Sequence, residues 1–243
     1  MILVPVIDLK SATVVHAAGG KRAQYRPVRS RLCPGSSPIE VIEAFLRLHP
    51  FETVYVADID AIEGQGHNRA VLAEIRKRFP KIELWVDEGL ATLAEIESWG
   101  VLRLGRAVAG SESLKNVSEW CKILEHTQGD IVLSLDFCGS KFLGPAPLAS
   151  NAALWPKRVV VMSLARVGSN LGPDYPRLAA ILKRAQPRDV FAAGGVRNAA
   201  DLRRLAELGV AGALVASALH DGRLGAAEIA SLMRASRARP AAR

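Results

Sequence analysis

Two aspartates, Asp8 and Asp136, end apolar runs in closely similar settings, ValIleAspLeuLys at 6–10 and LeuSerLeuAspPhe at 133–137. A proton shift on a substrate needs one group to deliver a proton and another to remove one. Two carboxylates in different environments can divide those roles. A strand-end aspartate can also simply cap the turn that follows, but equivalent placement twice in one chain favours chemistry. A second constellation is Gly194–Gly195–Val196–Arg197 before a helical stretch, beside Ala216–Ser217–Ala218 after the last apolar run. Glycines let the backbone approach an anion, and N–H groups at a helix start point toward it. Gly194, Gly195, Ala216 and Ser217 are therefore the candidate phosphate grip. GlyGly alone also marks an ordinary turn; the pairing with the last-strand motif is what raises it.

The corresponding place earlier in the chain reads Asp87–Glu88–Gly89. Two acids there oppose a phosphate dianion by Coulomb repulsion unless they are neutralised or turned away. Arg103 and Arg106 are candidates to neutralise them, which also makes a structural ion-pair cluster the plainer reading. The loop after the first run, residues 19–30, carries Lys21, Arg22, Tyr25, Arg26 and Arg29 and suits closure over an anionic or aromatic substrate, or else is a solvated basic loop. Ser163 and Arg166, in SerLeuAlaArgValGlySer, suit a carboxylate or phosphate clamp through the planar guanidinium. Lys10 lies beside Asp8. The five histidines show no metal-ligand spacing, so no metal is expected.

These residues must be positioned by repeating elements. Short β-branched runs occur at 2–7, 53–57, 82–86, 101–104, 131–135, 159–162, 190–193 and 212–215, separated by stretches of helical period. Continuous apolar runs alternating with helices indicate buried parallel strands. Eight such units in about 240 residues predict an α/β (β/α)8 TIM barrel; an open doubly wound sheet shares the alternation. The chemical residues follow strand C-terminal ends, which in a barrel face one mouth. GluGlyLeu at 88–90 echoes GlyGlyVal at 194–196, and LeuGlyArgAla at 104–107 echoes ValAlaSerAla at 215–218, suggesting two half-barrels.

The 243 residues bear a formal charge of +8, half of which four arginines of the last ten residues can supply. The other basic residues are dispersed, with few aromatics among them, so the sequence shows no nucleic-acid-binding stripe. Three cysteines without paired spacing offer neither a disulfide framework nor a metal knuckle. No run is long enough to span a membrane. The expectation is a cytoplasmic protein with one barrel over 1–233 and a frayed basic tail at 234–243, its oligomeric state open.

In this order, the motifs from ValIleAspLeuLys at 6–10 to LeuValAlaSerAlaLeuHisAspGly at 214–222 resemble the histidine-biosynthesis isomerase/cyclase superfamily. The resemblance covers almost the whole chain and implies a two-half TIM barrel. It implies acid/base catalysis by Asp8 and Asp136 and a phosphate grip at Gly194, Gly195, Ala216 and Ser217. The superfamily's lysine in the first strand or loop lies close to Lys10. Asp87–Glu88–Gly89 departs from the glycine turn that serves a second phosphate. The segments at 14–30 and 163–174 look more like a divergent isomerase-related branch of methanogens and methylotrophs. Such organisms make one-carbon cofactors of the tetrahydromethanopterin or methanofuran type, and the leading expectation is an Amadori-type aldose–ketose isomerisation, without a cofactor, of a phosphorylated small-molecule substrate, an N-substituted amino-ribose phosphate, within the synthesis of such a cofactor. The alternatives are the histidine-pathway isomerase itself and a non-catalytic barrel that binds a partner protein.

Overall fold

Alternation of side chains about a strand decides this architecture. In the computed structural model, which describes residues 1–237, eight parallel strands form a closed ring. They are β1 (Ile2–Lys10), β2 (Thr53–Asp58), β3 (Glu83–Asp87), β4 (Arg106–Gly110), β5 (Val132–Cys138), β6 (Arg158–Ser163), β7 (Asp189–Ala193) and β8 (Gly212–Val215). Ile2–Pro5 of β1 pair with Gly212–Val215 of β8, whereas Val6–Leu9 pair with Tyr55–Asp58 of β2. That stagger is what a closed, tilted barrel requires. Val4, Tyr55, Trp85, Val108, Val132, Val160, Phe191 and Leu214 fill the interior, and the alternate residues Ile7, Val56, Val86 and Leu135 pack outward under the helices.

Among the described residues seven longer helices pack around the ring: α1 (Pro38–Leu48), α2 (Arg69–Arg78), α3 (Leu93–Leu102), α4 (Val117–His126), α5 (Tyr175–Ala185), α6 (Ala199–Leu208) and α7 (Ala226–Arg237). Local chemistry fixes their ends. Thr92 and Glu95 form a reciprocal capping box on α3, Asn198 accepts from Ala200 and Asp201 N–H to start α6, and Gly209 at φ +95° stops it. Between β5 and β6 a hairpin strand (Lys141–Leu143) and two 3-10 turns stand where a helix would be.

One strand lies elsewhere than the sequence suggests. In the stretch 101–104, Val101 and Leu102 are the end of α3, Arg103 and Leu104 are the turn after it, and Val101 is 82% exposed. Arg103 ends that helix in a left-handed conformation at φ +52°. Gly105 then passes so close to β3 that a Cβ would sit 2.7 Å from the Leu84 carbonyl oxygen. The fourth strand therefore begins at Arg106. Register corrects the repeat as well: Asp87 pairs with Val108 and Ala193 with Leu214, so Gly110–Ser111, not 104–107, is the counterpart of Ala216–Ser217. At the C-terminus α7 runs through Arg237, so residues 234–237 of the expected tail continue a helix, and 238–243 lie outside the described residues.

The long connection after β1 is tied down. Ser11 and Ala12, both at positive φ, turn β1 into a short strand (Thr13–His16). Their N–H groups donate to the Asp60 carboxylate and the Asn68 side-chain oxygen. Farther on, Ser30 Oγ meets His220 Nδ1 at 3.0 Å and Arg31 N–H donates to the His220 carbonyl. Burial pushes the His220 imidazole down to about 4. An unfolded histidine binds a proton near pH 6.5, so this group favours the fold above that value and loses the contribution as pH falls toward 4. We expect the wild type to lose about 2 kcal/mol more than His220→Gln between pH 7 and pH 5, read from thermal or denaturant midpoints; parallel losses would refute this coupling.

Candidate active site

At the C-terminal ends of the strands the inward positions change from apolar to polar. β1 continues from Val6 to Asp8, β3 from Trp85 to Asp87, and β5 from Val132 through Ser134 to Asp136, each step of two residues keeping the same face. In a ring of eight, β1 and β5 stand opposite each other, so Asp8 and Asp136 approach from opposite walls. They line one cavity, open at the mouth, together with Tyr25, Arg166, Gly194, Gly195, Ala216 and Ser217.

The two aspartates are held differently. Among the described residues nothing hydrogen-bonds the Asp8 carboxylate, which faces the cavity; burial raises it to about 7 and the Arg22 guanidinium pulls the other way. Asp136 is 4% exposed and fully engaged. Ser134 Oγ donates to it at 2.6 Å and Glu112 N–H at 3.1 Å. Burial raises Asp136 to about 7 as well; the Ser134 bond lowers it, and the charge of Asp87 raises it. Both groups thus change protonation near neutrality, the range in which a general acid and base work best.

The second-half end of the cavity is built from backbone. Gly194 (φ +96°) and Gly195 (φ +88°) pass so close to the preceding loop that Cβ atoms would lie 2.5 Å from the Ser163 oxygen and 2.3 Å from the Gly172 oxygen. Only glycine fits there. Ser217 starts a short helix, whose first N–H groups have no acceptor within the helix. Arg166 lines this end, yet its guanidinium donates to the Gly172 carbonyl at 2.8 Å and lies 3.8 Å from Asp174, which braces its own loop. Arg223 also lines this end and is held by Asn170 and Asp221.

The first-half end is acidic and aromatic. Asp87 is 8% exposed and accepts from Tyr55 O–H at 3.2 Å and Gly89 N–H at 3.0 Å. Burial raises it to about 6, the Gly89 N–H lowers it, and the charge of Glu112 raises it. Arg22, from the 3-10 turn Arg22–Gln24, reaches across to bond Glu112. Glu88 turns away from the cavity onto Arg69, which engages both carboxylate oxygens. Arg103 and Arg106 do not neutralise these acids. Arg106 pairs with Glu83 and Asp130 at the opposite end of the barrel, and Arg103 ends α3.

Four residues picked from the sequence do not line the cavity. Lys10 pairs with Glu63 at 2.8 Å, Arg26 and Arg29 are exposed, and Ser163 is buried one position beyond the inward-facing Met162. Arg22 of the same basic loop does line it, and so do Tyr55, Asp87, Glu112 and Arg223, beyond the residues expected there. No cluster suited to a metal ion occurs among the described residues, and no helix among them is long and apolar enough to cross a membrane.

Comparison with protein families matches residues 2–225 to the family described as histidine biosynthesis protein. The chain belongs to that family. Among individual relatives, an uncharacterized protein of Methanocaldococcus jannaschii is 30% identical over 232 residues, covering 94% of this chain and 97% of its own. The 1-(5-phosphoribosyl)-5-((5-phosphoribosylamino)methylideneamino)imidazole-4-carboxamide isomerase of Myxococcus xanthus is 27% identical, covering 95% and 98%. Phosphoribosyl isomerase A of Streptomyces coelicolor is 29% identical, covering 90% and 92%. The protein is an enzyme of this isomerase family.

Proposed function

We propose that this family member is an Amadori-type aldose–ketose isomerase acting on an N-substituted amino-ribose bearing one phosphate. The supporting observation is one cavity with Asp8 and Asp136 on opposite walls, the close-packed Gly194–Gly195 turn and the Ser217 helix start at one end, and carboxylates at the other; we read the first end as an anion grip. Asp136 gives its proton to the ring oxygen as the C1–O bond breaks and the nitrogen lone pair forms C=N. Asp8 takes the C2 proton; that electron pair forms C1=C2 while the C=N pair returns to nitrogen. Ketonisation then places a proton on C1 and removes the one on the C2 oxygen, restoring both carboxyl groups. The substrate nitrogen is the electron sink, so the reading requires no cofactor.

At the first-half end, Glu88 occupies the place of Gly194, and Asp87 and Glu112 face the cavity. With Glu112 paired to Arg22, the Asp87 carboxylate stands at this end, whereas the other end has its glycine turn; the carboxylate disfavours a second phosphate dianion and suits an uncharged aromatic amine, the kind of group joined to ribose in a one-carbon carrier such as tetrahydromethanopterin. Purified protein should bind and turn over a monophosphorylated aryl-aminoriboside in preference to the bis-phosphorylated histidine intermediate, measured by calorimetry and product analysis. The reverse preference overturns the proposal. The second reading, the histidine-pathway isomerase itself, is favoured by the names of the bacterial relatives; rescue of a histidine auxotroph lacking that enzyme would establish it. A barrel that only binds a partner would keep its biological role with both Asp8 and Asp136 changed to Asn.

A further inference from the structure

Gly110 marks a close approach that the two-aspartate scheme does not use. A Cβ built on it would lie 3.3 Å from Asp136 Oδ2 and 3.3 Å from Asp87 Oδ2, so the two carboxylates flank one small gap from β5 and β3. Both are buried, and two neighbouring carboxylates in such a place cannot both ionise cheaply. A contact at Ser111 distinguishes the two. Each carboxylate accepts on both oxygens, Asp87 Oδ1 from Gly89 N–H and Oδ2 from Tyr55 O–H, Asp136 Oδ1 from Ser134 Oγ and Oδ2 from Glu112 N–H. Asp136 Oδ2 has one further contact, with Ser111 Oγ at 3.3 Å. The single Ser111 hydroxyl proton goes to the Leu143 carbonyl at 2.7 Å, which can only accept, and Ser111 Oγ itself accepts from Asp136 N–H at 2.8 Å. The contact with Oδ2 is therefore lone pair against lone pair unless Asp136 supplies a hydrogen.

We infer that Asp87 is a positioning residue: ionised and fixed by Tyr55 and Gly89, it keeps a proton on its neighbour Asp136. The assignment rests on the isomerase reading only in making that proton the one delivered to substrate; the sharing itself is a property of the free protein. The other groups facing the pair are accounted for. Glu112 from beyond β4 adds negative charge and, through its N–H, a donor; Arg22 from the β1 loop adds positive charge on the Asp8 and Asp87 side; Tyr55 from β2 senses Asp87, Asp136 and Asp8. On the β5 side Arg177 lies over the Phe137 ring and donates to the Gly139 carbonyl.

The test is a substrate-free titration of aspartate carboxyl carbons by 13C NMR, in the wild type and in Asp87→Asn. In the wild type the Asp136 carboxyl carbon should show the protonated form at pH 6, with the Asp87 and Asp136 signals responding to a common titration. In Asp87→Asn the Asp136 midpoint should fall by about 1 pH unit or more. An Asp136 that is ionised at pH 6 in the wild type, or one whose midpoint is the same in both proteins, overturns the inference; the wild-type measurement stands even if the variant does not fold. A merely structural Asp87 would change stability and leave the Asp136 midpoint in place. If the isomerase reading is wrong, no turnover is found, yet the titration is unaffected, so the two failures are separable.

Discussion

Asp8→Asn should abolish turnover and make the protein more stable. The carboxylate of Asp8 is the one inward acid that no described group hydrogen-bonds, and burial raises it from 3.8 to about 7. A group whose folded pKa lies above its unfolded value favours the fold at low pH. That contribution is lost as pH rises from about 4 through about 7, and above this range the ionised carboxylate opposes folding. Replacing it with a neutral amide removes that opposition, worth on the order of 2–4 kcal/mol above pH 7 once the solvent in the cavity is allowed for. Loss of a general base costs about 10²- to 10⁴-fold in rate. The wild-type profile should be a narrow bell near neutrality, because Asp8 must be ionised while Asp136 stays protonated. Denaturant midpoints at pH 8 and initial rates across pH 5–9 check both parts. A variant that is less stable and still active would show Asp8 to be structural.

Arg69→Ala should cost about 3–5 kcal/mol. The Glu88 side chain is 1% exposed, and Arg69 reaches both of its oxygens, with contacts of 2.9 to 3.2 Å. Removing the guanidinium leaves a buried charge without its counter-ion, which is far more costly than losing an exposed pair. Adding Glu88→Gln to Arg69→Ala should recover a large part of the loss, since the amide needs no cation. Urea unfolding of the two variants measures it. A loss below about 1 kcal/mol would mean that water reaches Glu88 as soon as Arg69 is gone.

The alternation of apolar runs and helical stretches made the barrel legible, and Asp8, Asp136 and the double glycine were legible as strand-end residues. The fourth strand was not, because Val101–Leu104 is as apolar as a strand although the capping box at Thr92 commits Val101 and Leu102 to a helix. That misplacement hid Glu112, which follows the strand that actually exists. Lys10 shares the inward parity of Asp8 in the sequence, but the hairpin begins there and turns it onto Glu63. Tyr55 sits mid-strand, where a tyrosine reads as ordinary core, and its use becomes visible only when β2 is laid beside β3 and Asp87. Asp87 itself was visible as an acid in a place that disfavours phosphate. Its approach to Asp136 was not, because it depends on the bare backbone of Gly110 between them.

The boundary between β4 and β5, joined by only the pairs from Val108–Val132 to Gly110–Ser134, has a consequence for how the enzyme is assembled. A chain cut in the loop between those strands would leave Asp8 and Asp87 on one fragment, and Asp136 with the glycine grip on the other. Neither piece would own a complete proton-transfer pair or a complete ligand site. Mixing the fragments would therefore couple their recognition of each other to the appearance of the acid, and the carboxyl signal of Asp136 would serve as a built-in reporter of docking.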